Sequence, residues 1–175
     1  MMRPAFALAL LFGARGAAAD CVQCDGLSVR HGAFASTLGS NANAYGIAAI
    51  AAGYTTEAAG HYAFAGGHLF AAFGNSSFAY GYGCHAQGDG AFAGGKDSKA
   101  TADKAFAFGH GAVADDHDST AFGFFTGAHG YASFSQGVQA EAYHNYSQVR
   151  RTGRELGFTR ARARSDTPSL MSTLM

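Results

Sequence analysis

The chain has 175 residues, enough for one domain of ordinary size, with 12 basic and 12 acidic residues. This balance of charge gives no reason to expect nucleic acid as the partner of the whole chain. Glycine is abundant at 25 residues, but aromatic residues make up 13% of the chain, which argues against disorder. The composition favours a regular fold with little room for large side chains.

The N-terminal residues 1–19 have the features of a secretory signal peptide. Arg3 is basic, residues 5–12 are apolar, and three alanines ending at Ala19 provide a cleavage site of the Ala-x-Ala type. The apolar run is shorter than the roughly 20 residues that a transmembrane helix needs. We therefore expect an extracellular or cell-surface protein whose mature chain has no membrane span.

The segment 20–32 carries two cysteines, Cys21 and Cys24. Their spacing would suit a redox pair or half of a metal site in a reducing cell. One chain has no second pair to complete a four-cysteine zinc site, and after export a disulfide within or between chains is favoured. Cys84 is predicted to be a small, buried hydrophobic residue.

Residues 33–144 form eight units of 14 residues without insertion or deletion. The third and fifth residues of a unit are small, and the fourth is large and apolar in six of the eight units. The seventh residue is always glycine and the twelfth always alanine. The two series are Gly39, Gly53, Gly67, Gly81, Gly95, Gly109, Gly123 and Gly137, and Ala44, Ala58, Ala72, Ala86, Ala100, Ala114, Ala128 and Ala142.

The alternation of small and large residues has the period of a β-strand. A helical unit would instead place glycines in its interior at a cost of about 1 kcal/mol each. We predict two strands of about five residues per unit, each ended by a turn in which glycine adopts a positive φ. Stacked units would form a solenoid whose coil is kept thin by the twelfth-position alanine.

The phenylalanines at the fourth position are too large for the inside of so thin a coil. If they face outward on every coil, they form an apolar patch of a size that monomers rarely expose. The pattern therefore predicts a homo-oligomer in which this face is buried between chains.

Three segments carry the resemblance to a known family: residues 118–123 (DSTAFG), 76–81 (SSFAYG) and 104–109 (KAFAFG). They resemble the head repeat of trimeric autotransporter adhesins, the YadA-like left-handed parallel β-roll. The resemblance implies an all-β solenoid of about eight coils, a homotrimer, and binding of matrix proteins, glycans or other cell-surface ligands. It implies neither cofactor, metal nor catalytic residues.

The repeat length and composition bear on three other functional classes. Acyltransferases with left-handed β-helices use coils of about 18 residues, so the shorter repeat argues against an enzyme. An ice-binding solenoid would need a flat row of threonines, which the tenth position does not provide. A phage or viral fibre segment with the same roll is the alternative to an adhesin-like module, and the signal peptide argues against it.

Residues 145–175 are predicted to contain a degraded ninth repeat followed by a basic tail. The tail is either a solvated, poorly ordered end or an arm that binds an anionic surface. Its arginines, with those of the degraded repeat, are Arg150, Arg151, Arg154, Arg160, Arg162 and Arg164.

Few residues suggest chemistry. His68 and His110 share the eighth position but are predicted to lie three coils apart, too far to hold one ion. The carboxylates and imidazole of residues 115–118 could hold a cation, but a solvated acidic turn is favoured. Ligand contacts are expected at the outward, variable eighth, ninth and eleventh positions.

Overall fold

The computed structural model describes residues 29–151, and these form one sheet of 15 strands in which the pairings are parallel. The expected all-β solenoid of about eight coils is confirmed. The predicted signal peptide, the Cys21 and Cys24 pair, and the tail beyond Arg151 lie outside the described residues. Coils are numbered from residue 33, so that coil one is 33–46 and coil eight is 131–144.

Long and short strands alternate along most of the chain. The strands are β1 (Val29–Arg30), β2 (Ser36–Ala44), β3 (Ile50–Ala58), β4 (Phe64–Ala72), β5 (Phe78–Tyr82), β6 (His85–Ala86), β7 (Phe92–Lys96), β8 (Lys99–Ala100), β9 (Phe106–His110), β10 (Val113–Ala114), β11 (Thr120–Phe124), β12 (Gly127–Ala128), β13 (Phe134–Val138), β14 (Glu141–Ala142) and β15 (Gln148–Arg151).

The register places each residue beside the residue at the same position of the next coil. Gly39 pairs with Gly53, and Ala44 pairs with Ala58. The stacking extends past both ends of the 33–144 region, because β1 pairs with the end of β2 and Arg151 pairs with Gly137.

The prediction of two strands of about five residues per coil holds only in part. From β5 onward each coil has a strand of five residues followed by one of two residues. In coils one to three a single strand of nine residues spans both. The pairing of β3 with β4 skips only the ninth position, between Tyr54 and Thr56, because the backbone turns there without ending the ladder.

The turns are made at the second and ninth positions, where residues of many types adopt a left-handed φ between 49° and 67°. Ala132 and Lys104 do so at the second position, and Thr55 and Asp97 at the ninth. This conformation costs roughly 1–2 kcal/mol for a residue other than glycine. It also directs the N–H group to the preceding coil, where the Asp97 N–H donates to the Tyr82 carbonyl over 2.7 Å.

The seventh-position glycines therefore do not supply the turns, and that part of the prediction was wrong. They lie inside the strands, with the expected positive φ, between 100° and 141°. The seventh-position glycines also have no room for a side chain. A Cβ added to Gly81 would overlap the carbonyl oxygen of Gly95 in the next coil, and the other seventh-position glycines are similarly crowded by the coil that follows.

The interior of the coil is lined by the third, fifth, tenth and twelfth residues. The twelfth-position alanines are at most 1% exposed, so they lie in the thin core, as predicted. Ser77 and Ser98 are also buried, and Phe70 is a rare large residue there. Because the tenth residues point inward, that row was the wrong place to look for an ice-binding surface.

Candidate binding surface

The fourth and sixth residues of each coil point away from the core and form what we call the aromatic face. At the fourth position, Phe64, Phe78, Phe92 and Phe106 stack in a ladder along the solenoid, with ring centroids 4.7–5.1 Å apart. The rings are within 10° of parallel. The apolar members of the face are Leu38, Ile50, Phe64, Phe78, Tyr80, Phe92, Phe106, Phe108, Phe122 and Phe134.

Small residues at the sixth position let these rings cover the strand. A Cβ on Gly94 would touch the rings of Phe92 and Phe108, which approach from its own coil and the next. Tyr80, on the coil before, remains 57% exposed. The aromatic face is thus a continuous apolar surface on one chain.

A second surface feature is a groove of about 960 Å³ that runs along the solenoid. It is lined chiefly by ninth- and eleventh-position residues, two of the three outward positions where ligand contacts were expected. Its lining includes Thr56, Glu57, His85, Asp97, Lys99 and Val113.

The groove combines apolar walls with charged groups. Three of these groups share the eleventh position. Glu57 lies two coils before His85, and Lys99 lies one coil after it. Burial, followed by the charge of Lys99, lowers the pKa of His85, although Asp97 acts in the opposite direction. The buried hydroxyl of Thr56, which also lines the groove, has no hydrogen-bond partner in the part of the chain that the structure describes.

An aromatic row at the eighth position borders the groove. His68 stacks between Tyr54 and Tyr82, at centroid distances of 5.2 and 5.0 Å. Both faces of its ring are therefore covered by neighbouring coils. The Lys96 ammonium lies 6.0 Å from the centre of the Tyr82 ring, in the range of a cation–π contact.

The histidines and the acidic turn considered as metal ligands do not come together. His68 and His110 are separated by the coils of Tyr82 and Lys96, as predicted. At the acidic turn, Asp116 accepts a hydrogen bond from the His117 backbone N–H. Within residues 29–151 there is no group of three or more potential ligands placed to hold a metal ion.

A cluster that the sequence analysis missed links three consecutive coils; we call it the clasp. His129 of coil seven has Nδ1 2.8 Å from Asp115 of coil six and Nε2 2.8 Å from Glu141 of coil eight. The Tyr143 ring stacks on the imidazole at 5.0 Å. The 14-residue spacing of Asp115 and His129 was a readable signal, because that spacing makes two residues neighbours.

In four coils the side chain of the first residue has a structural role beside the second-position turn. The side chains of His61, Asn75 and Asp103 accept hydrogen bonds from the backbone N–H of the first residue in the preceding coil. Asp89 does the same for Asn75. These exposed polar groups stabilise the stacking, so their presence does not by itself mark a ligand site.

Comparison with known proteins bears on the repeat itself. Two overlapping segments, residues 86–112 and 100–126, match the family model described as the YadA head domain repeat. The two matches are offset by one 14-residue coil (86 to 100), the same register seen in the sheet. No curated protein matches the chain. Residues 29–151 contain no helix long and apolar enough to cross a membrane.

Proposed function

Because the chain carries YadA head domain repeats, we propose that it is the adhesin-like head of a cell-surface or secreted protein. It acts as a homotrimer and without enzymatic activity, and its repetitive surface binds a matrix protein or a glycan. The observation that carries the proposal is the continuous aromatic face, which a soluble single chain would leave in contact with water.

The size of the aromatic face supports association. Aromatic side chains carry about 150–250 Å² each, so ten large apolar residues about one-third exposed leave on the order of 700 Å² of apolar surface. That exceeds the roughly 300–600 Å² of the largest patch on a typical monomer. It is close to the roughly 800 Å² that each partner contributes to a standard interface. The YadA head family is typically trimeric, which favours three copies over two.

The groove supports a binding role because it is formed by positions of the coil other than the fourth and sixth, which form the aromatic face. It follows the ninth and eleventh residues, so packing of the aromatic faces against one another leaves it available. A groove that crosses several coils suits an extended chain better than a compact molecule. Its mixture of Val113 with Glu57 and Lys99 offers both apolar and charged contacts.

The absence of catalysis is proposed on the repeat length and on the stacking. The repeated glycines and alanines of each coil serve the stacking and the thin core, and the 14-residue unit is shorter than the coils of β-helical acyltransferases. The outward His68, for example, is engaged with Tyr54 and Tyr82 of the neighbouring coils.

Light scattering of the secreted chain tests the trimer. We expect three times the monomer mass for the native protein and for Tyr62→Lys, and a smaller species for Phe92→Lys. Tyr62 is a matched control because it is 68% exposed at a turn position where coil six already has Lys104. Circular dichroism shows whether each variant folds, and a native protein that is a soluble monomer would refute the trimer.

Binding to arrays of matrix proteins and glycans tests the groove. Lys99→Glu should change the binding of a ligand that occupies the groove, whereas Lys104→Asp should not. Each variant introduces the acidic residue found at the same position in another coil, Glu57 and Asp118 respectively, so folding should be preserved. Equal binding by the two variants would place the ligand elsewhere on the head.

A further inference from the structure

The clasp of Asp115, His129 and Glu141 is a contact between side chains of three consecutive coils. We propose that it is a pH-sensitive contact. It stabilises the stacking of coils six to eight while His129 is an imidazolium, and this stabilisation is lost when the imidazolium is deprotonated.

The hydrogen-bond geometry favours the charged form of the imidazole between two carboxylates. Both ring nitrogens of His129 lie 2.8 Å from a carboxylate oxygen, one on each side. A neutral imidazole has one N–H and one acceptor nitrogen, so it could donate to only one carboxylate. The acceptor nitrogen would then face the other carboxylate with no hydrogen between them. The imidazolium has two N–H groups and satisfies both.

The local backbone leaves space for this arrangement. Gly127 of β12 lies directly beside Glu141 of β14 in the sheet. A Cβ on Gly127 would overlap the Glu141 carboxylate and the His129 ring nitrogen. Other coils place a side chain at this eleventh position, for example Lys99 and Val113. The glycine thus gives coil seven the room that the clasp occupies.

The surroundings of His129 favour its proton. Partial burial lowers the pKa of His129, but hydrogen bonds to Asp115 and then Glu141, together with their negative charges, outweigh it and raise the pKa above 6.5. Asp115 faces the ring from the end of β10, and Glu141 faces it from β14. Tyr143, which follows β14, covers one ring face.

The direction of the pH dependence follows from that shift. A histidine whose folded pKa is above its unfolded value of about 6.5 contributes stability that is fully present below the unfolded pKa. That contribution is lost as the pH rises through the folded pKa. The stacking of the last coils should therefore be more stable in mildly acidic medium than in alkaline medium.

Two measurements on the full-length assembled protein test the proposal. The first is an NMR titration of the His129 imidazole, which should have a midpoint above 6.5. The midpoint should fall in the double variant Asp115→Asn, Glu141→Gln, because the amides cannot supply the negative charges. A native midpoint at or below 6.5, or one that the double variant leaves unchanged, would overturn the proposal.

The second measurement is amide hydrogen exchange, corrected for the intrinsic effect of pH. Across the His129 midpoint, protection in β12 and β14 should fall about two- to fivefold relative to β6 and β8, the range expected for an exposed ion pair. His129→Gln should abolish this relative change. His117→Gln should retain it, because His117 is an exposed histidine of the same coil whose imidazole lies 3.9 Å from Asp103, outside the clasp. If the exchange protection of β12 and β14 in the native protein changed in parallel with that of β6 and β8 at every pH, the proposed pH-sensitive contact would be contradicted.

Discussion

Replacement of glycine by alanine separates the two kinds of glycine in the coil. Gly81 lies within β5 at the seventh position, with a φ of 122°, and an added Cβ would overlap the Gly95 carbonyl oxygen. Gly90 lies at a second-position turn, with a φ of 67°, and an added Cβ would have as its nearest neighbour the Lys104 side chain at 3.8 Å. We expect Gly81→Ala to be strongly destabilising and Gly90→Ala to be tolerated.

The structure sets the size of the difference. At Gly81 the strained φ costs about 1–3 kcal/mol. Moving the next coil aside exposes or breaks a ladder hydrogen bond, which adds about 1–3 kcal/mol. At Gly90 the left-handed conformation costs alanine about 1–2 kcal/mol. The gain of about 0.4–1 kcal/mol from restricting the unfolded chain applies to both variants and cancels in the comparison. Ala48 and Ala132 already occupy this position, with φ values of 52° and 49°. The expected gap in the free energy of unfolding is about 2.5 kcal/mol.

Urea unfolding followed by circular dichroism measures that gap. With a denaturant slope of about 2 kcal/mol per molar, Gly81→Ala should unfold at a urea concentration about 1.2 M lower than Gly90→Ala. Both variants remove one glycine, so an effect of glycine on the unfolded chain is common to both. Equal midpoints would show that the seventh position does not need glycine for either of the reasons given.

Two further predictions concern neighbouring residues of β8. Ala100→Leu should lower the free energy of unfolding by roughly 1–3 kcal/mol through overpacking, because Ala100 is buried. Lys99→Ala should change the free energy of unfolding little, because Lys99 is exposed. Equal urea midpoints for the two variants would show that the inward and outward faces are misassigned. Lys99→Ala should also raise the pKa of His85 toward 6.5, because the charge of Lys99 helps to lower that pKa. The rise should be partial, because burial, the larger cause, remains. An NMR titration in which the midpoint of His85 is unchanged or falls would contradict this expectation.

The repeat could be predicted from the sequence because its constraints recur at one spacing. The alanine series identified the thin core, and the glycine series identified positions of positive φ. The turns at the second and ninth positions could not be read in the same way, because Phe34, Ala48 and Asp118 adopt the left-handed conformation with no shared side-chain chemistry. There the hydrogen bonds to the preceding coil, rather than residue preference, decide the backbone.

The candidate surfaces were predictable to different degrees for a related reason. The outward orientation of the eighth and eleventh residues follows from strand alternation on either side of the turn at the ninth, so these two positions could be named in advance. The clasp depends on Asp115 and Glu141 approaching one ring from opposite sides, and Glu141 is 12 residues from His129 rather than a whole repeat away. A contact that is displaced around the coil is visible only once the width of the coil and its register are known.

The outward phenylalanines contribute to the fold as well as to association. Four small inward side chains per coil, at about 0.8 kcal/mol for each buried methyl-sized group, give about 3 kcal/mol. One phenylalanine with about two-thirds of roughly 200 Å² buried against its stacked neighbours contributes about 3 kcal/mol at 25 cal/mol per Å². Because Phe78 and Phe92 are stacked on both sides within one chain, most of that contribution is present before any partner binds. The thin alanine core alone would therefore give the stack only about half of its hydrophobic stabilisation, and the ladder that supplies the other half also presents the apolar surface on which chains can associate.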